Sequence, residues 1–197
     1  MEYFGDKQRL RILGYKLGNI GLILIETRRF NDVRGFFAET YNRDRLSKIG
    51  IAIEFVQDNH SISYAAGTLR GMHFQAQPAA QGKLVRCARG AIFDVAVDIR
   101  RGSPTYGEWE GHELTAKNGH QLYVPIGFAH GFVTLEPDSE IVYKCTDYYA
   151  PETEGTVRWD RCGIDWPLSG DPILSDKDAV APALGDFESP FIYGENS

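Results

Sequence analysis

Short apolar runs separated by turns dominate the chain, and in several of them apolar and polar residues alternate. Residues 68–74 read Thr-Leu-Arg-Gly-Met-His-Phe, so alternation places Leu69, Gly71 and His73 on one face of a strand and Thr68, Arg70, Met72 and Phe74 on the other. Further strands are predicted at residues 21–26, 36–40, 55–63, 83–87, 91–99, 109–114, 121–124, 131–135 and 140–145. This pattern predicts an all-β sandwich or barrel, not alternating strands and helices.

Turn compositions and helix caps divide the chain further. Residues 31–35, 101–105, 117–119 and 136–139 have turn compositions. Asn42 is expected to cap a short helix that runs to Ile49 and ends at Gly50. Ser175 is expected to cap a second helix, with Asp178 at its third position. We predict one domain over residues 21–185, preceded by an extension at 1–20 and followed by a tail at 186–197.

Composition and charge narrow the class of protein. With 43% hydrophobic and 24% charged residues, the chain has the composition of a folded soluble protein. The formal net charge of −6 argues against a nucleic-acid partner, because phosphate binding needs a basic surface. Cys87, Cys145 and Cys162 are odd in number and far apart, so we expect reduced thiols in a cytoplasmic protein. The first residues contain no uninterrupted apolar stretch, so neither a signal peptide nor a membrane span is predicted.

Candidate chemistry is concentrated between residues 67 and 89. His73 lies on the alternating strand, and Lys83 begins a second apolar run that is expected to lie beside the first. A neutral imidazole accepts a proton near pH 7, and an ammonium group stabilises a developing oxyanion. The two residues together favour proton transfer next to a carbonyl group. The alternative is a structural core histidine and a solvated lysine.

Two spacings resemble the paired motifs of the cupin superfamily, whose fold is a double-sheet jelly roll. Residues 67–73 follow G-x5-H and end at His73, and residues 119–130 follow G-x5-P-x-G-x2-H and end at His130. Metal-binding cupins continue the first motif with further ligands, because a metal site needs three or four converging donors. Here Gln75 occupies the second position, and Ala79 and Ala80 stand near the third. We therefore expect no bound metal and interpret both histidines as proton-transfer or hydrogen-bonding groups.

A closer resemblance extends from about residue 21 to residue 184. Six blocks carry it: FVQDNH at 55–60, LRGMHFQ at 69–75, QGKLVR at 81–86, FDVAVD at 93–98, PIGFAHGF at 125–132 and YKCTDYYAP at 143–151. In this order the blocks resemble the dTDP-4-dehydrorhamnose 3,5-epimerase family. The resemblance implies an all-β cupin jelly roll with short helices in the N-terminal third and at the C-terminus. The first 18 residues and the tail have no counterpart that we can place.

The resemblance also implies a reaction. The family converts dTDP-4-dehydro-6-deoxy-D-glucose to dTDP-4-dehydro-L-rhamnose in dTDP-L-rhamnose biosynthesis. The C4 carbonyl acidifies the hydrogens on C3 and C5, so epimerisation needs a base, an acid on the opposite face and a cation for the enolate oxygen. It needs no cofactor, and none is expected.

Four residues match the catalytic positions of the family. By motif, His73 is the base, Tyr143 the acid, Lys83 the group near the C4 oxygen, and Asp178 the carboxylate that pairs with the histidine. On spacing alone, Tyr143 is better explained as a packed aromatic residue of a sheet. Asp178 is likewise explained as an acidic residue in the first turn of a helix.

A set of ligand contacts and a homodimer are further implications. Arg34, Arg70 and Lys177 are candidates for the diphosphate, since guanidinium and ammonium groups suit phosphate. Tyr149 matches the aromatic residue that stacks on the thymine ring. The other matching substrate contacts are Glu39, Gln57, Asp58, Asn59, His130 and Glu154. Surface ion pairs are the alternative for Arg34, Glu39 and Glu154. In the homodimer, N-terminal strands reach across to the partner's sheet.

Several alternatives stay open at this point. A single-centre epimerase acting at C3 or C5 needs the same histidine, lysine and tyrosine. A metal-dependent cupin needs the ligand set that Gln75 interrupts, and a non-catalytic sugar-binding cupin has no reason to retain the four catalytic residues together.

Two carboxylates in one strand also remain unassigned. Asp94 and Asp98 are two residues apart in an apolar strand, so they face the same way and need partners. An ion pair with Arg70, Arg86 or Arg100 is one interpretation, and support of His73 is the other.

Overall fold

Two five-stranded antiparallel sheets packed face to face make up this computed structural model, which describes residues 21–195. The strands are β1 (Ile23–Glu26), β2 (Arg29–Asp32), β3 (Gly35–Ala38), β4 (Gln57–Ser63), β5 (Leu69–Gln75), β6 (Lys83–Arg89), β7 (Ala91–Asp98), β8 (Trp109–Thr115), β9 (His120–Val124), β10 (Phe128–Thr134), β11 (Ser139–Cys145) and β12 (Glu154–Thr156). The first sheet has the order β1-β9-β6-β11-β4 and the second β12-β5-β10-β7-β8, while β2 and β3 form a separate hairpin. The predicted all-β, double-sheet jelly roll is confirmed.

Alternation within the strands decides which side chains fill the space between the sheets. In β7, Ile92 and Ala96 point into this space, whereas Val95 and Val97 point away from it. The central core combines Leu24, Val85, Leu122 and Ile141 of the first sheet with Ile92, Leu114, Phe128 and Phe132 of the second. Burying one such side chain contributes about 1.5 to 3 kcal/mol. Asp94 and Asp98 share the inward face of Ile92, as the spacing predicts.

Apolar layers also cover the outer faces of both sheets. On the second sheet, Met72 and Phe74 belong to a cluster completed by Val157 and Phe191 from the C-terminal part of the chain. On the first sheet, the helix α1 (Arg43–Ser47) places its buried Leu46 in a smaller cluster with residues of β1 and β6. The inward faces near the sheet ends are therefore the places where polar side chains can gather around a ligand.

Both predicted helix caps are confirmed. The Asn42 side chain accepts a hydrogen bond from the N–H of Arg45 in α1. The Ser175 side chain accepts one from the N–H of Asp178 in α2 (Asp176–Ala179). Helix α1 ends at Ser47, earlier than predicted. Strands β2 and β12 were not predicted, because β2 lies partly inside the predicted turn and β12 is only three residues long.

The strand that contains Lys83 does not lie beside the strand that contains His73, so this prediction is wrong. β6 pairs with β9 and β11 in the first sheet, whereas β5 pairs with β10 and β12 in the second. Residues 76–82 therefore cross from one sheet to the other. At about 3.3 Å per residue, this loop easily spans the roughly 10 Å between packed sheets. Lys83 and His73 consequently face one another across the sandwich.

A bulge between β5 and β10 changes the predicted faces of β5. His73 pairs with His130 and Arg70 pairs with Phe132, so β5 advances three residues (73 to 70) while β10 advances two (130 to 132). Directly paired residues share a face, so Arg70 points to the same side as His73, not to the opposite side as alternation predicts. The strands approach closely here: a Cβ on Gly131 would lie 2.8 Å from the Arg70 carbonyl oxygen, which only glycine avoids.

The predicted N-terminal extension, residues 1–20, lies outside the described residues, as do residues 196 and 197 of the predicted tail. Within the described part of the tail, the rings of Phe187 and Phe191 pack against Phe74 with centroid distances of 5.3 and 5.7 Å. Between residues 21 and 195, no helix has the length and apolar character needed to cross a membrane.

Candidate active site

A cavity opens between the two sheets where inward polar side chains gather. It has a larger part of about 520 Å³ and a smaller part of about 220 Å³, and His73, Lys83 and Tyr143 line both. The larger cavity is also lined by Arg70, His130, Lys177 and Asp178, and the smaller cavity by Gln57, Asn59, Tyr149 and Glu154. Most of the residues singled out in separate sequence blocks therefore meet in one place. The size is that of a small-molecule site, for which about 300 to 1,000 Å³ is typical.

His73 forms a close pair with Asp178 at the wall of the larger cavity. Its Nε2 atom lies 2.6 Å from Oδ1 of Asp178, which is nearly fully buried at the start of α2. Burial raises the pKa of Asp178, but the hydrogen bond and charge interaction with His73, together with the Ser175 hydroxyl and the Gly71 N–H, lower it by more. The carboxyl group is therefore ionised at neutral pH. An ionised partner requires the proton on Nε2, which leaves Nδ1 as the basic atom of the ring.

Lys83 carries an ammonium group at the start of β6, on the opposite wall from His73. Within the described residues its Nζ atom makes no hydrogen bond and no ion pair. Burial lowers the pKa of Lys83, and the charges of Asp94 and Glu154 counteract part of that effect. A half-buried amino group without an ion pair in the described chain is available to a ligand oxygen atom that carries negative charge, and that charge favours its protonated form.

Tyr143 lies on β11, next to Val85 in the first sheet, and its ring packs against the central core. Burial raises the pKa of its hydroxyl group above the usual value for tyrosine. The hydroxyl therefore keeps its proton at neutral pH. Because Tyr143 belongs to the first sheet and His73 to the second, a proton donor and a proton acceptor occupy opposite walls of the cavity.

Three charged residues surround the larger cavity and its border with the smaller one. Nζ of Lys177 lies 2.6 Å from Oε1 of Glu154. Burial raises the pKa of Glu154, but the hydrogen bond and charge of Lys177 lower it by more, so the pair is ionic. Arg70 donates to the Ser63 hydroxyl at 3.3 Å and to the Ile62 carbonyl at 3.2 Å, and no described carboxylate pairs with it. Arg70 and Lys177 therefore provide positive charge beside the cavity.

The smaller cavity is organised by amides and one exposed aromatic ring. Nε2 of Gln57 donates to Oδ1 of Asn59 at 3.2 Å, and Oε1 of Gln57 accepts from the N–H of Tyr149 at 2.9 Å. Tyr149 also donates from its hydroxyl to Glu154 at 3.3 Å, while its side chain stays 57% exposed. The side-chain amide of Gln75 makes its hydrogen bonds with the backbone: it donates to the Tyr148 carbonyl at 2.8 Å and accepts from the N–H of Ala150 at 2.9 Å.

His130 on β10 is the direct pairing partner of His73 on the neighbouring strand β5, and it has its own carboxylate partner. Its Nε2 atom lies 2.9 Å from Oδ1 of Asp94, which is fully buried. Asp98 instead accepts hydrogen bonds from Arg100, Ser103 and Thr105. The predicted ion pair of one of these carboxylates with Arg100 is therefore present. Among the residues that the structure describes, Asp94 pairs with neither an arginine nor His73.

Three predicted contact residues lie away from this cavity. Arg34 is at the exposed tip of the β2–β3 hairpin and pairs with Asp32. Glu39 pairs with Arg45 at 3.0 Å. Asp58 projects from the outer face of the first sheet, where Lys144 contacts it at 2.8 Å, because neighbouring residues of a strand alternate between faces. Their predicted contact with the substrate stays a prediction.

Sequence reasoning missed some residues of the site. Ser61 lines the larger cavity and shares the inward face of β4 with Gln57 and Asn59, so strand alternation was a signal that could have found it. Ile173 and Leu174 line the same cavity just before α2, and a bridge between Thr68 and Ile173 holds that segment in place. No local pattern marks this contact, because it joins residues more than 100 positions apart (68 and 173).

The fold and the cavity together define a jelly-roll protein with ionisable groups from both sheets facing one ligand-sized space. A model of the dTDP-4-dehydrorhamnose 3,5-epimerase family matches residues 18–186. The chain is 54% identical to the dTDP-4-dehydrorhamnose 3,5-epimerase of Salmonella typhimurium over 166 residues. The aligned part covers 83% of this chain and 90% of that protein. The chain belongs to the dTDP-4-dehydrorhamnose 3,5-epimerase family.

Solved structures agree with this assignment. The crystal structure of dTDP-4-dehydrorhamnose 3,5-epimerase from Bacillus anthracis with TDP and PPi bound has a TM-score of 0.84 and 45% identity, covering 88% of this chain and 99% of that one. The dTDP-6-deoxy-D-glucose-3,5-epimerase of Legionella pneumophila in complex with dTDP-4-keto-L-rhamnose has a TM-score of 0.82 and 47% identity, covering 85% of this chain and 89% of that one. The similarity thus includes sequence and fold over most of both chains.

Proposed function

We propose that this protein epimerises dTDP-4-dehydro-6-deoxy-D-glucose at C3 and C5 and so forms dTDP-4-dehydro-L-rhamnose, as a step of dTDP-L-rhamnose biosynthesis. The observation that carries the proposal is the placement of His73 on one wall of the cavity and of Tyr143 and Lys83 on the other. Inversion at a carbon requires removal of a proton from one face and delivery of a proton to the other. Family membership and the nucleotide sugar bound to the Legionella protein support the same substrate.

In this mechanism His73 is the base. Nδ1 removes the proton from the carbon next to the C4 ketone. The electron pair of the C–H bond forms a double bond to C4, and the π electrons of the carbonyl group move to the C4 oxygen to give an enolate. The ring of His73 becomes positively charged, and the ionised Asp178 at 2.6 Å stabilises that charge. The ammonium group of Lys83 stabilises the negative charge on the enolate oxygen.

Tyr143 completes the inversion. Its hydroxyl delivers a proton to the same carbon from the opposite face, and the enolate returns to the ketone. The hydroxyl holds its proton at neutral pH because burial raises its pKa. The first inversion leaves His73 protonated and Tyr143 as a phenolate, so His73 releases its proton to solvent and Tyr143 takes one up. The same pair of groups then acts on the second carbon, since the C4 ketone acidifies both C3 and C5. The chemistry needs no cofactor, and we propose none.

The remaining cavity residues bind the nucleotide. Arg70 and Lys177 are assigned to the diphosphate because they supply the positive charge at the larger cavity. Tyr149 is assigned to the thymine ring, which its exposed face can stack upon for about 1 to 3 kcal/mol, by analogy with stacking in nucleic-acid complexes. Gln57, Asn59, Glu154 and His130 are assigned to hydrogen bonds with the base and the sugars.

A deuterium-exchange experiment with three variants tests the reaction. The purified protein is incubated with the substrate in D₂O, and deuterium at C3 and C5 is followed by NMR. The wild type is expected to incorporate deuterium at both carbons and to form the L-sugar. Tyr143→Phe is expected to exchange deuterium without inversion, because His73 can return a deuteron only to the face it took the proton from. His73→Gln is expected to do neither.

Tyr148→Phe is the matched control, because Tyr148 is an exposed neighbour whose side chain does not line the cavity. It should behave as the wild type. Incorporation at only one carbon would assign the protein to the single-centre epimerases. Absence of exchange above the His73→Gln level would contradict an epimerase acting on this substrate.

We also propose that the protein is a homodimer in which the β2–β3 hairpin covers the partner subunit. The hairpin exposes Phe37 by 65% and Val33 completely, which is unusual for an apolar surface without a partner. Arg34 and Glu39 lie on or next to this hairpin and away from their own cavity, so a partner's cavity is where they contact substrate. Sedimentation should show a dimer for the wild type and for Tyr64→Ser, an exposed control, and a monomer for Phe37→Ser. A wild-type monomer would contradict the proposal.

The cellular setting follows from charge and cysteine chemistry. We propose a cytoplasmic enzyme with one domain over residues 21–185, without a nucleic-acid or membrane partner. The three cysteines are free and buried, which suits a reducing compartment. The net charge of −6 disfavours binding to nucleic acid.

A further inference from the structure

Behind His130, the carboxylate of Asp94 has one oxygen atom without a partner. Asp94 is fully buried between the sheets, and its Oδ1 atom pairs with His130. Its Oδ2 atom is buried and has no hydrogen-bond partner among the described residues. A buried acceptor left unsatisfied destabilises the fold, so a hydrogen-bond donor is expected at this position.

His112 and Glu110 face the same region from β8. His112 pairs directly with Asp94 across β7 and β8, so the two side chains point into the same space. Its Nε2 atom is buried, lacks a well-aligned hydrogen bond within residues 21–195, and lies 3.2 Å from Oε1 of Glu110. Burial lowers the pKa of His112, although the charge of Asp94 opposes this, so the ring is neutral at pH 7. Burial raises the pKa of Glu110 to about 7.

We propose that Asp94, His112 and Glu110 bind one buried water molecule, and that this water sets how strongly Asp94 holds the ring of His130. A buried water typically makes about three hydrogen bonds to polar groups that lack other partners. Oδ2 of Asp94 and Nε2 of His112 are two such atoms. The carboxyl group of Glu110, 3.2 Å from that nitrogen, supplies a third polar group on the same inward face. The inference rests on the proposed function in one respect, since His130 matters because it lines the substrate cavity.

The water couples Glu110 to His130 through Asp94. A water that donates a hydrogen bond to Oδ2 draws negative charge away from Oδ1, and this weakens the bond between Oδ1 and the N–H of His130. When Glu110 is protonated, it donates to the water and strengthens the donation to Asp94. When Glu110 is ionised, it competes for the hydrogen of the water, and Asp94 then holds His130 more tightly. His112 and Glu110 are thus positioning residues for His130.

Other ionisable groups face this region and must be separated from Glu110 by experiment. The charge of His120 on β9 lowers the pKa of His112, and His120 itself lies 3.7 Å from Glu26 of β1. Cys87 of β6 lies in the same central core. On the cavity side, the ionisable neighbours are His73, Lys83 and Tyr143. Glu110→Gln changes only the titration of Glu110 and keeps its shape, so it isolates the proposed effect from all of these groups.

The test is the proton resonance of the His130 Nε2–H in the full-length protein, assigned with His130→Gln. In the wild type we expect it to move downfield as pH rises through about 7, the pKa of Glu110, because the bond to Asp94 becomes stronger. Glu110→Gln should lose this shift. His112→Leu should hold the resonance downfield at every pH, and His112→Gln, which keeps a polar atom, should move it back towards the wild-type position.

Glu113→Gln is the matched control, because Glu113 lies on the exposed, opposite face of the same strand. It should reproduce the wild-type titration. A resonance that still shifts near pH 7 in Glu110→Gln, or one that is unchanged in His112→Leu, would overturn the proposal. The measurement needs no substrate, so its outcome is independent of whether the protein catalyses the proposed epimerisation. Electron density for a water within hydrogen-bond distance of Oδ2 of Asp94 in a crystal structure would support the site directly, and a dry, well-ordered gap there would overturn it.

Discussion

Replacing Asp178 by asparagine tests whether the carboxylate behind His73 contributes to proton abstraction. Asparagine keeps the shape of the side chain and removes its charge. In the proposed mechanism the ring of His73 gains a positive charge when it takes the proton, and Asp178 is the nearest anion, at 2.6 Å. The variant should therefore lose kcat while it retains its fold.

The size of the loss is bounded by the value of the hydrogen bond and by the attraction between the two charges, of which Asp178 is buried. A hydrogen bond to a charged group contributes about 1.5 to 3 kcal/mol. The attraction of two unit charges about 4 Å apart is roughly 4 kcal/mol at an effective dielectric constant of 20. These limits correspond to a decrease in kcat of about 10- to 1,000-fold, since about 1.4 kcal/mol equals a factor of ten.

The assay measures kcat from product formation at saturating substrate, with deuterium incorporation from D₂O as the second readout. Asp176→Asn is the matched control, because Asp176 lies in the same helix, is exposed and does not line the cavity. A double variant with His73→Gln adds a further check. If the two residues act as a unit, Asp178→Asn should cost nothing more once His73 is absent.

A folded Asp178→Asn protein with kcat within about 2-fold of the wild type would contradict a role of Asp178 in proton abstraction. An equal loss in Asp176→Asn would contradict it as well. Full additivity in the double variant would separate the two residues. The lowered pKa of Asp178 gives an independent check on stability. Its ionised form stabilises the fold above the unfolded pKa of about 3.9, and this contribution is lost as pH falls through the lower folded pKa.

Two further variants test the wall opposite His73 and the close approach of β5 and β10. Lys83→Met should lower kcat about 10²- to 10³-fold without lowering the melting temperature, because an ammonium group without an ion pair is replaced by an apolar chain. Burial lowers the folded pKa of Lys83, so the wild type becomes more stable as pH rises towards the unfolded pKa of about 10.4. The stability advantage of the variant should therefore shrink over this pH range. A clear decrease in melting temperature would contradict an unpaired lysine. Gly131→Ala should lower the free energy of unfolding by about 1 to 3 kcal/mol in denaturant titrations, since its Cβ would lie 2.6 Å from Sδ of Met72. Gly170→Ala, whose Cβ meets nothing within 4 Å, should change little, and equal losses in the two variants would contradict the packing argument.

Local patterns were sufficient for most elements of the fold, whereas most residues of the site were identified through the family resemblance. Alternation located most of the strands of both sheets, and the caps at Asn42 and Ser175 located both helices, because these signals act between residues close in sequence. The motif blocks around His73, Lys83 and Tyr143 indicated residues that line one cavity. The strand and cap inferences used information that is present within a few residues, and the site inference used the order of the blocks along the chain.

Contacts between distant segments could not be predicted in the same way. Alternation cannot tell which sheet a strand joins, so Lys83 was placed beside His73 when it stands opposite. The bulge that brings Arg70 to the face of His73 depends on the register with β10, which no local pattern encodes. The partner of Asp94 was missed for the same reason, since His130 lies 36 positions away.

The separation of His73 and Asp178 by 105 positions has a consequence for how the chain acquires activity. Most strands of both sheets lie between these residues, and the bridge of Ile173 to Thr68 holds the segment that leads into α2 beside the cavity. Contacts between such distant segments form late, after the entropy of closing a long loop has been overcome. A nascent chain still emerging from the ribosome can build both sheets and yet hold a histidine without its carboxylate. Turnover therefore reports on complete folding more strictly than any measure of β-structure.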